Sequence, residues 1–218
     1  KAFNMADIAN NEEGSLTAAM FAAQGYIVVA PNFLGYDLSS LSYHPYLNAE
    51  QQSSEMVDAL TAARKAMKDL GAGDSGRLFI SGYSQGGHVA MATHRALQAA
   101  RQTVTASAPM SGPYALAAFA DAVYYGNVNL GSTIFTPMLT TSYQKAYGNL
   151  YTSTTDIYSS NFATGIESLL PSTSSLSTLL TQGKLPQTAL FSSTPPTAPA
   201  GSPAALQATL NAITPPTT

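Results

Sequence analysis

The residues that could do chemistry gather around one serine. Ser84 stands in Gly82-Tyr83-Ser84-Gln85-Gly86, a G-x-S-x-G pattern, and the chemistry open to it is nucleophilic attack on a carbonyl. A serine hydroxyl is a poor nucleophile, so Oγ must be held out where a base can reach it and a carbonyl can approach. A sharp strand-to-helix turn does this by placing the serine in a strained backbone conformation at its tip. Such a turn brings strand and helix so close that flanking side chains would collide. Gly82 and Gly86 supply the missing Cβ atoms, and Gly87 and Ala90 continue a small-residue face along the helix. The corner also aims the backbone N–H of Gln85, at the positive end of the helix, toward the place where negative charge would build on the carbonyl oxygen. Gln85 is therefore the candidate for half of an oxyanion hole. The pattern alone also arises by chance in sequence rich in Gly and Ser, as a tight turn carrying a surface serine, so the surrounding elements decide.

Those elements fit a nucleophile turn. Leu78 to Ser81 reads as a short apolar strand, and Gln85 to Ala100 as a helix. Upstream, Asn10-Asn11 followed by Glu12 and Glu13 predicts a helix start. Leu16, Ala19, Met20 and Ala23 recur at helical spacing until Gly25 stops them. Tyr26-Ile27-Val28-Val29-Ala30, closed by Pro31, is a continuous apolar run of the kind buried on both faces of a parallel sheet, and predicts a central strand. A long connection, Asn32 to Asn48, carries Phe33, Tyr36, Tyr43 and Tyr46; connections of this length are usually functional, and it is expected beside the site. Asn48 with Gln51 reads as a capping box. Met56, Leu60, Ala63, Met67 and Leu70 then form one helical face, ended by Gly71. After the turn Gly73-Asp74-Ser75-Gly76 come the Ser84 corner, its helix, and a further strand, Thr103 to Ala108, closed by Pro109. The alternation is that of a doubly wound α/β sheet.

Beyond Ser111-Gly112-Pro113 the texture changes to Tyr, Ser and Thr. Seven of the 12 tyrosines follow: Tyr114, Tyr124, Tyr125, Tyr143, Tyr147, Tyr151 and Tyr158. Helical patches are predicted near Ala115 to Tyr124, Thr133 to Tyr147, Leu176 to Leu180 and Ala204 to Ile213, with a Pro-rich linker over 194–203 and no strong strand. The division expected is a core over residues 1–112 and a mostly helical cap over residues 113–218. No internal repeat stands out.

Bulk properties narrow the function. The 218 residues suffice for one domain with a sizeable core and an inserted cap. A net charge of -3 with 9 Lys+Arg offers no field for phosphate backbones, so nucleic acid is not an expected partner. Charged residues make up only 10%, with Ser and Thr in their place, which suits an exported protein, secreted or periplasmic. The absence of cysteine removes disulfides, thiolate catalysis and thiolate metal sites, and no metal or organic cofactor is implied. No apolar run reaches the length of a membrane span.

Gly25 to Pro31, the Gly35-Tyr36-Asp37 loop and Gly82-Tyr83-Ser84-Gln85-Gly86-Gly87 together resemble the secretory-lipase and bacterial esterase branch of the α/β-hydrolase superfamily, over about residues 16–113. The resemblance implies a mainly parallel sheet with helices on both faces, and carboxylic-ester hydrolysis through an acyl-enzyme. It casts Ser84 as nucleophile and Gln85 as the backbone oxyanion donor. In that family the acid and the histidine follow the serine on later strands. Here no histidine follows His94. His88 and His94 lie on the helix that leads away from the serine, where packing roles are expected, and His44 in His44-Pro45-Tyr46 reads as a loop anchor. Asp121 and Asp156 fall in the expected cap and Asp37 in a turn, so none is assigned as the acid. The family's second oxyanion loop and last strands also have no counterpart. The sequence thus reads as the central piece of a longer hydrolase, truncated at both ends.

The expected function is a serine ester hydrolase of esterase or lipase type acting on a small ester or lipid, with Tyr83, Phe33 and Tyr36 as candidate pocket residues. A serine peptidase or acyltransferase would use the same corner, and a binding module on the same fold would use none of its chemistry.

Overall fold

The computed structural model describes residues 4–125 and 130–185. They fall into two compact units. One comprises the residues up to Leu41 with Leu47–Tyr114, the other Ser42–Tyr46 with the described residues from Ala115 onward.

The first unit is built on two parallel strands, β1 (Phe79–Tyr83) and β2 (Ala106–Met110), paired from Phe79 with Ala106 to Tyr83 with Met110. The helix α3 (Gln85–Ala99) links them and buries Val89, Ala90, Ala92, Thr93 and Leu97. It packs against both strands and against α2 (Ala49–Asp69). His94 Nδ1 lies 2.9 Å from Ser107 Oγ and fastens α3 to β2. The residues of β1 and β2 that alternate away from the half-buried set, Phe79, Tyr83 and Met110 among them, are exposed.

The helix ends follow the local chemistry. Asn48 caps α2 by accepting the Gln51 N–H at 3.1 Å. At the other end Gly71 is left-handed (φ 65), with its N–H on Lys68 O and that of Ala72 on Met67 O, so two carbonyls that the helix leaves over are satisfied. Met56, Leu60, Ala63 and Met67 are half-buried as a face should be, whereas Leu70, one residue past the helix, is exposed. Asn11 caps α1 (Glu12–Met20) by accepting from Gly14 N; a short 3-10 turn and Gly25 (φ 90) then end it.

Two expectations are corrected. Tyr26 to Ala30 forms no strand: the segment lacks a backbone ladder, and Tyr26, Ile27 and Val28 are exposed. The Tyr26 ring meets Phe79 of β1 edge-on at 5.9 Å, yet side-chain proximity does not make a strand, because β-propensity is realised only against a paired neighbour. The strand expected from Thr103 to Ala108 and closed by Pro109 instead runs Ala106–Met110 and takes in Pro109; Leu16 and Met20 of α1 are exposed.

The second unit holds α4 (Leu116–Tyr124), α5 (Leu130–Tyr147), and the short helices α6 (Ser160–Ala163), α7 (Ile166–Leu169) and α8 (Leu176–Thr181). Its core is Tyr151, Ile157, Tyr158, Ala163, Ile166, Leu179 and Leu185. The fully buried Tyr158 hydroxyl is hydrogen-bonded to Thr140 on α5. Tyr46 stacks on Phe135 at 5.9 Å. The sequence-predicted linker 194–203 and the helical patch Ala204 to Ile213 lie outside the described residues.

Candidate active site

β1 ends at Tyr83 and α3 begins at Gln85, leaving a single residue, Ser84, to turn the chain. Its backbone is at φ 54, ψ -117, a conformation that L-residues avoid and that persists only where the surroundings enforce it. Ser84 is exposed at the tip. Its N–H donates to Met110 O at 3.0 Å, and its carbonyl accepts the N–H of Gly87 at 2.9 Å and of His88 at 3.3 Å. The strained corner is thus tied on one side to the end of β2 and on the other to the first turn of α3. Gln85, as the first residue of α3, has its N–H in the turn whose amides point out of the helix at its positive end.

The glycines around Ser84 do unequal work. A Cβ on Gly82 would lie 2.2 Å from Gly86 O and 2.4 Å from its carbonyl carbon, so strand and helix touch backbone to backbone there. A Cβ on Gly86 would meet nothing within 4 Å. The expectation that both glycines of the pattern relieve crowding is corrected: Gly86 is the wall that Gly82 presses on. The second crowded glycine is Gly87, whose Cβ would sit 2.6 Å from Met110 O.

Tyr83, last in β1, is 71% exposed beside the serine. Phe33 and Tyr36 belong to the connection after residue 31, which turns through Tyr36 N–H to Phe33 O at 3.1 Å. Leu34 N–H donates to Glu55 Oε2 on α2 at 3.0 Å and anchors that turn. Burial pushes the Glu55 carboxyl up to about 7, against the Leu34 amide, which favours the charged form. Burial, and then the Glu13 charge, raise the Tyr36 phenol.

No histidine or carboxylate of the described residues is shown against Ser84 Oγ. His88 is half-buried with Nδ1 3.2 Å from Pro113 O. Burial lowers its pKa, the Arg95 charge acts the same way, and the backbone oxygens of Pro113 and Leu47 pull against both. His94 is engaged with Ser107, and His44 is buried in the second unit near Tyr46. Asp37 (φ 43) accepts from Asn32 Nδ2, Asp156 closes a capping box with Ser153, and Asp121 is exposed on α4. Among the described residues no group of His, Asp and Glu could hold a metal ion.

Sequence reasoning passed over one further feature. A cavity of about 360 Å³ lies wholly within the second unit and is lined by Tyr43, Lys145, Thr154, Gly165 and Glu167 among others. Lys145 Nζ is 2.9 Å from Glu167 Oε2, and Tyr151 OH donates to Glu167 Oε1 at 2.7 Å. The cluster joins residues from Tyr43 to Glu167, so no motif announces it.

The prolyl oligopeptidase family profile matches residues 13–144. Among solved structures, the rice cell wall degrading esterase LipA from Xanthomonas oryzae is 35% identical with a TM-score of 0.73, over 80% of this chain and 47% of that one. A point mutant of the same esterase gives 34% and 0.75, over 85% and 50%. A candidate hydrolase from Legionella pneumophila is 27% identical with a TM-score of 0.74, over 84% and 49%. The chain spans about half the length of these structures. No curated protein matches it.

Proposed function

Because the chain belongs to the prolyl oligopeptidase family of the α/β-hydrolase superfamily, we propose that it carries the nucleophile of a serine hydrolase, with Ser84 attacking a carboxylic ester. The observation that carries this reading is the exposed Ser84 at φ 54 on the N-terminal end of α3, a strained placement that a surface turn has no reason to keep.

In this reading Ser84 Oγ attacks the ester carbonyl, and its proton passes to a base. The alcohol leaves with that proton, and water then releases the acyl group. The tetrahedral oxyanion rests on the Gln85 N–H and a second amide. Neither His88, turned to Pro113 O, nor His94, turned to Ser107 Oγ, is shown against Ser84 Oγ, so neither is assigned as the base. A histidine from the other half of an enzyme as long as the structural relatives takes that role. Tyr83, Phe33 and Tyr36 contribute to the pocket for a small ester or a lipid. No metal or organic cofactor enters the chemistry. The cell-wall-degrading esterase among the relatives, with the low charge of the sequence, supports a place outside the cytoplasm. Among the described residues no helix is long and apolar enough to cross a membrane.

The family's name supports a second reading, amide hydrolysis of short peptides on the same serine. A fluorophosphonate probe and paired substrates test both. Labelling of the full-length protein that disappears in Ser84→Ala, with turnover of p-nitrophenyl esters, is expected. Turnover of aminoacyl p-nitroanilides in preference to esters would select the peptidase, and absence of labelling would leave only a binding module.

A further inference from the structure

We infer that His88 is a positioning residue for Ser84: its Nδ1–H holds the Pro113 carbonyl, and with it the end of β2 on which the strained corner rests. The inference builds on the reading of Ser84 as nucleophile.

Tyr83 pairs with Met110 in the β1–β2 register, so Ser84 and Ser111 are the residues that leave the two strands side by side. Both are non-glycine residues at positive φ, 54 and 48. Neither conformation is one the residue would choose alone, so something must clamp the pair. The clamp is the passage of residues 110–114 across the first turn of α3. A Cβ on Gly87 would lie 2.6 Å from Met110 O and 3.0 Å from Gly112 N, and one on Gly112 would lie 2.7 Å from His88 N and 2.6 Å from the Tyr114 ring. The two backbones therefore lie against each other with no room for a methyl group.

Two hydrogen bonds fix the passage at its two ends. At the near end Ser84 N–H donates to Met110 O at 3.0 Å. At the far end His88 Nδ1 lies 3.2 Å from Pro113 O. A carbonyl can only accept, so Nδ1 carries the hydrogen. Burial lowers the ring's pKa and favours its neutral form, in which the hydrogen on Nδ1 sets the tautomer. The ring is then a donor in a single orientation, which is what a clamp requires. His88 is four residues along α3 from Ser84, and a shift of Pro113 would move Met110 O and, through it, the Ser84 amide. Small displacements near a reacting atom cost rate without changing what the pocket binds.

The test varies the donor and the ring separately. In asparagine the amide nitrogen is separated from Cβ by the same number of bonds as Nδ1; in glutamine it sits one bond farther out; phenylalanine keeps the ring without the donor. In the full-length protein, His88→Phe is expected to lower both the fluorophosphonate labelling rate of Ser84 and kcat by about tenfold or more, with KM within about twofold. His88→Asn is expected to recover most of that loss and His88→Gln little of it. Rates are taken per folded molecule, from circular dichroism. Equal labelling by parent and His88→Phe, or equal rates in the Asn and Gln variants, overturns the positioning role while leaving Ser84 as nucleophile. If His88→Phe does not fold, the Asn and Gln pair decides alone. A parent that does not label at Ser84 overturns both readings.

Discussion

Replacing Gly82 by alanine puts a methyl group 2.2 Å from Gly86 O, 2.4 Å from Gly86 C and 2.8 Å from Gly86 Cα. All three are backbone atoms, so no side chain can swing aside. Tolerable contact begins near 3.0 Å, so β1 and α3 must part by about 0.8 Å at the corner. Forcing a methyl group into packed structure costs about 1–3 kcal/mol, and a backbone obstacle belongs at the upper end. Even a loss of about 2 kcal/mol, below that upper end, is roughly a 30-fold fall in the folded-to-unfolded ratio. Gly86→Ala is the control inside the same pattern: its methyl meets nothing within 4 Å, its φ is not positive, and alanine suits a helix better by about 0.5–1 kcal/mol. Urea melts of the two variants, with fluorophosphonate labelling of Ser84 on the same samples, measure the difference. Gly82→Ala is expected to be destabilised and poorly labelled, and Gly86→Ala neutral to slightly stabilised. Equal damage from both, or none from Gly82→Ala, would refute the account of the corner as a backbone-to-backbone contact.

Three further outcomes follow from the geometry. Ser84→Gly removes the Cβ that makes φ 54 costly, so it should raise stability by about 1 kcal/mol in a urea melt while abolishing labelling. Glu55 is held up to about 7 in the fold against an unfolded value near 4.5, so the folded state binds the extra proton between those values. Stability is therefore greatest below about pH 4.5 for this group and falls as pH rises through about 7, and Glu55→Gln should flatten that fall in urea midpoints measured from pH 5 to 8. In the second unit, Tyr151→Phe removes the hydrogen bond to Glu167 and should cost about 1 kcal/mol, whereas Lys145→Met, which breaks a partly exposed ion pair, should cost less than about 1 kcal/mol by thermal melting.

Much of the corner is legible in the sequence because each of its parts is a local event. The strand before Ser84, the helix after it, the Asn48 cap and the Gly71 stop all follow from residues within a few positions of one another. What is not legible depends on pairs far apart in the chain. Gly87 has to be small because of Met110, and His88 finds its acceptor at Pro113, 25 residues away. Glu55 receives the Leu34 amide from 21 residues away, and it is burial by the fold that raises its carboxyl. Tyr26 to Ala30 misleads for the opposite reason. Its composition describes a strand, but strand formation belongs to a pair, and composition says nothing of the partner. In the region rich in tyrosine, the pattern foresees helices but not which tyrosines are core: Tyr151 and Tyr158 are buried while Tyr114 and Tyr147 are exposed.

The pairing of Tyr83 with Met110 makes the conformation of Ser84 a property of its neighbour strand as much as of its own turn. A single residue deleted from the bend over 101–105 would slide β2 by one position, turn its side chains to the opposite face and carry Met110 O away from the Ser84 amide. The loop over 71–76, which precedes β1 and carries exposed residues throughout, has no such hold on the corner. Insertions and deletions in this gene should therefore be tolerated on the entry side of the first strand and purged on the entry side of the second.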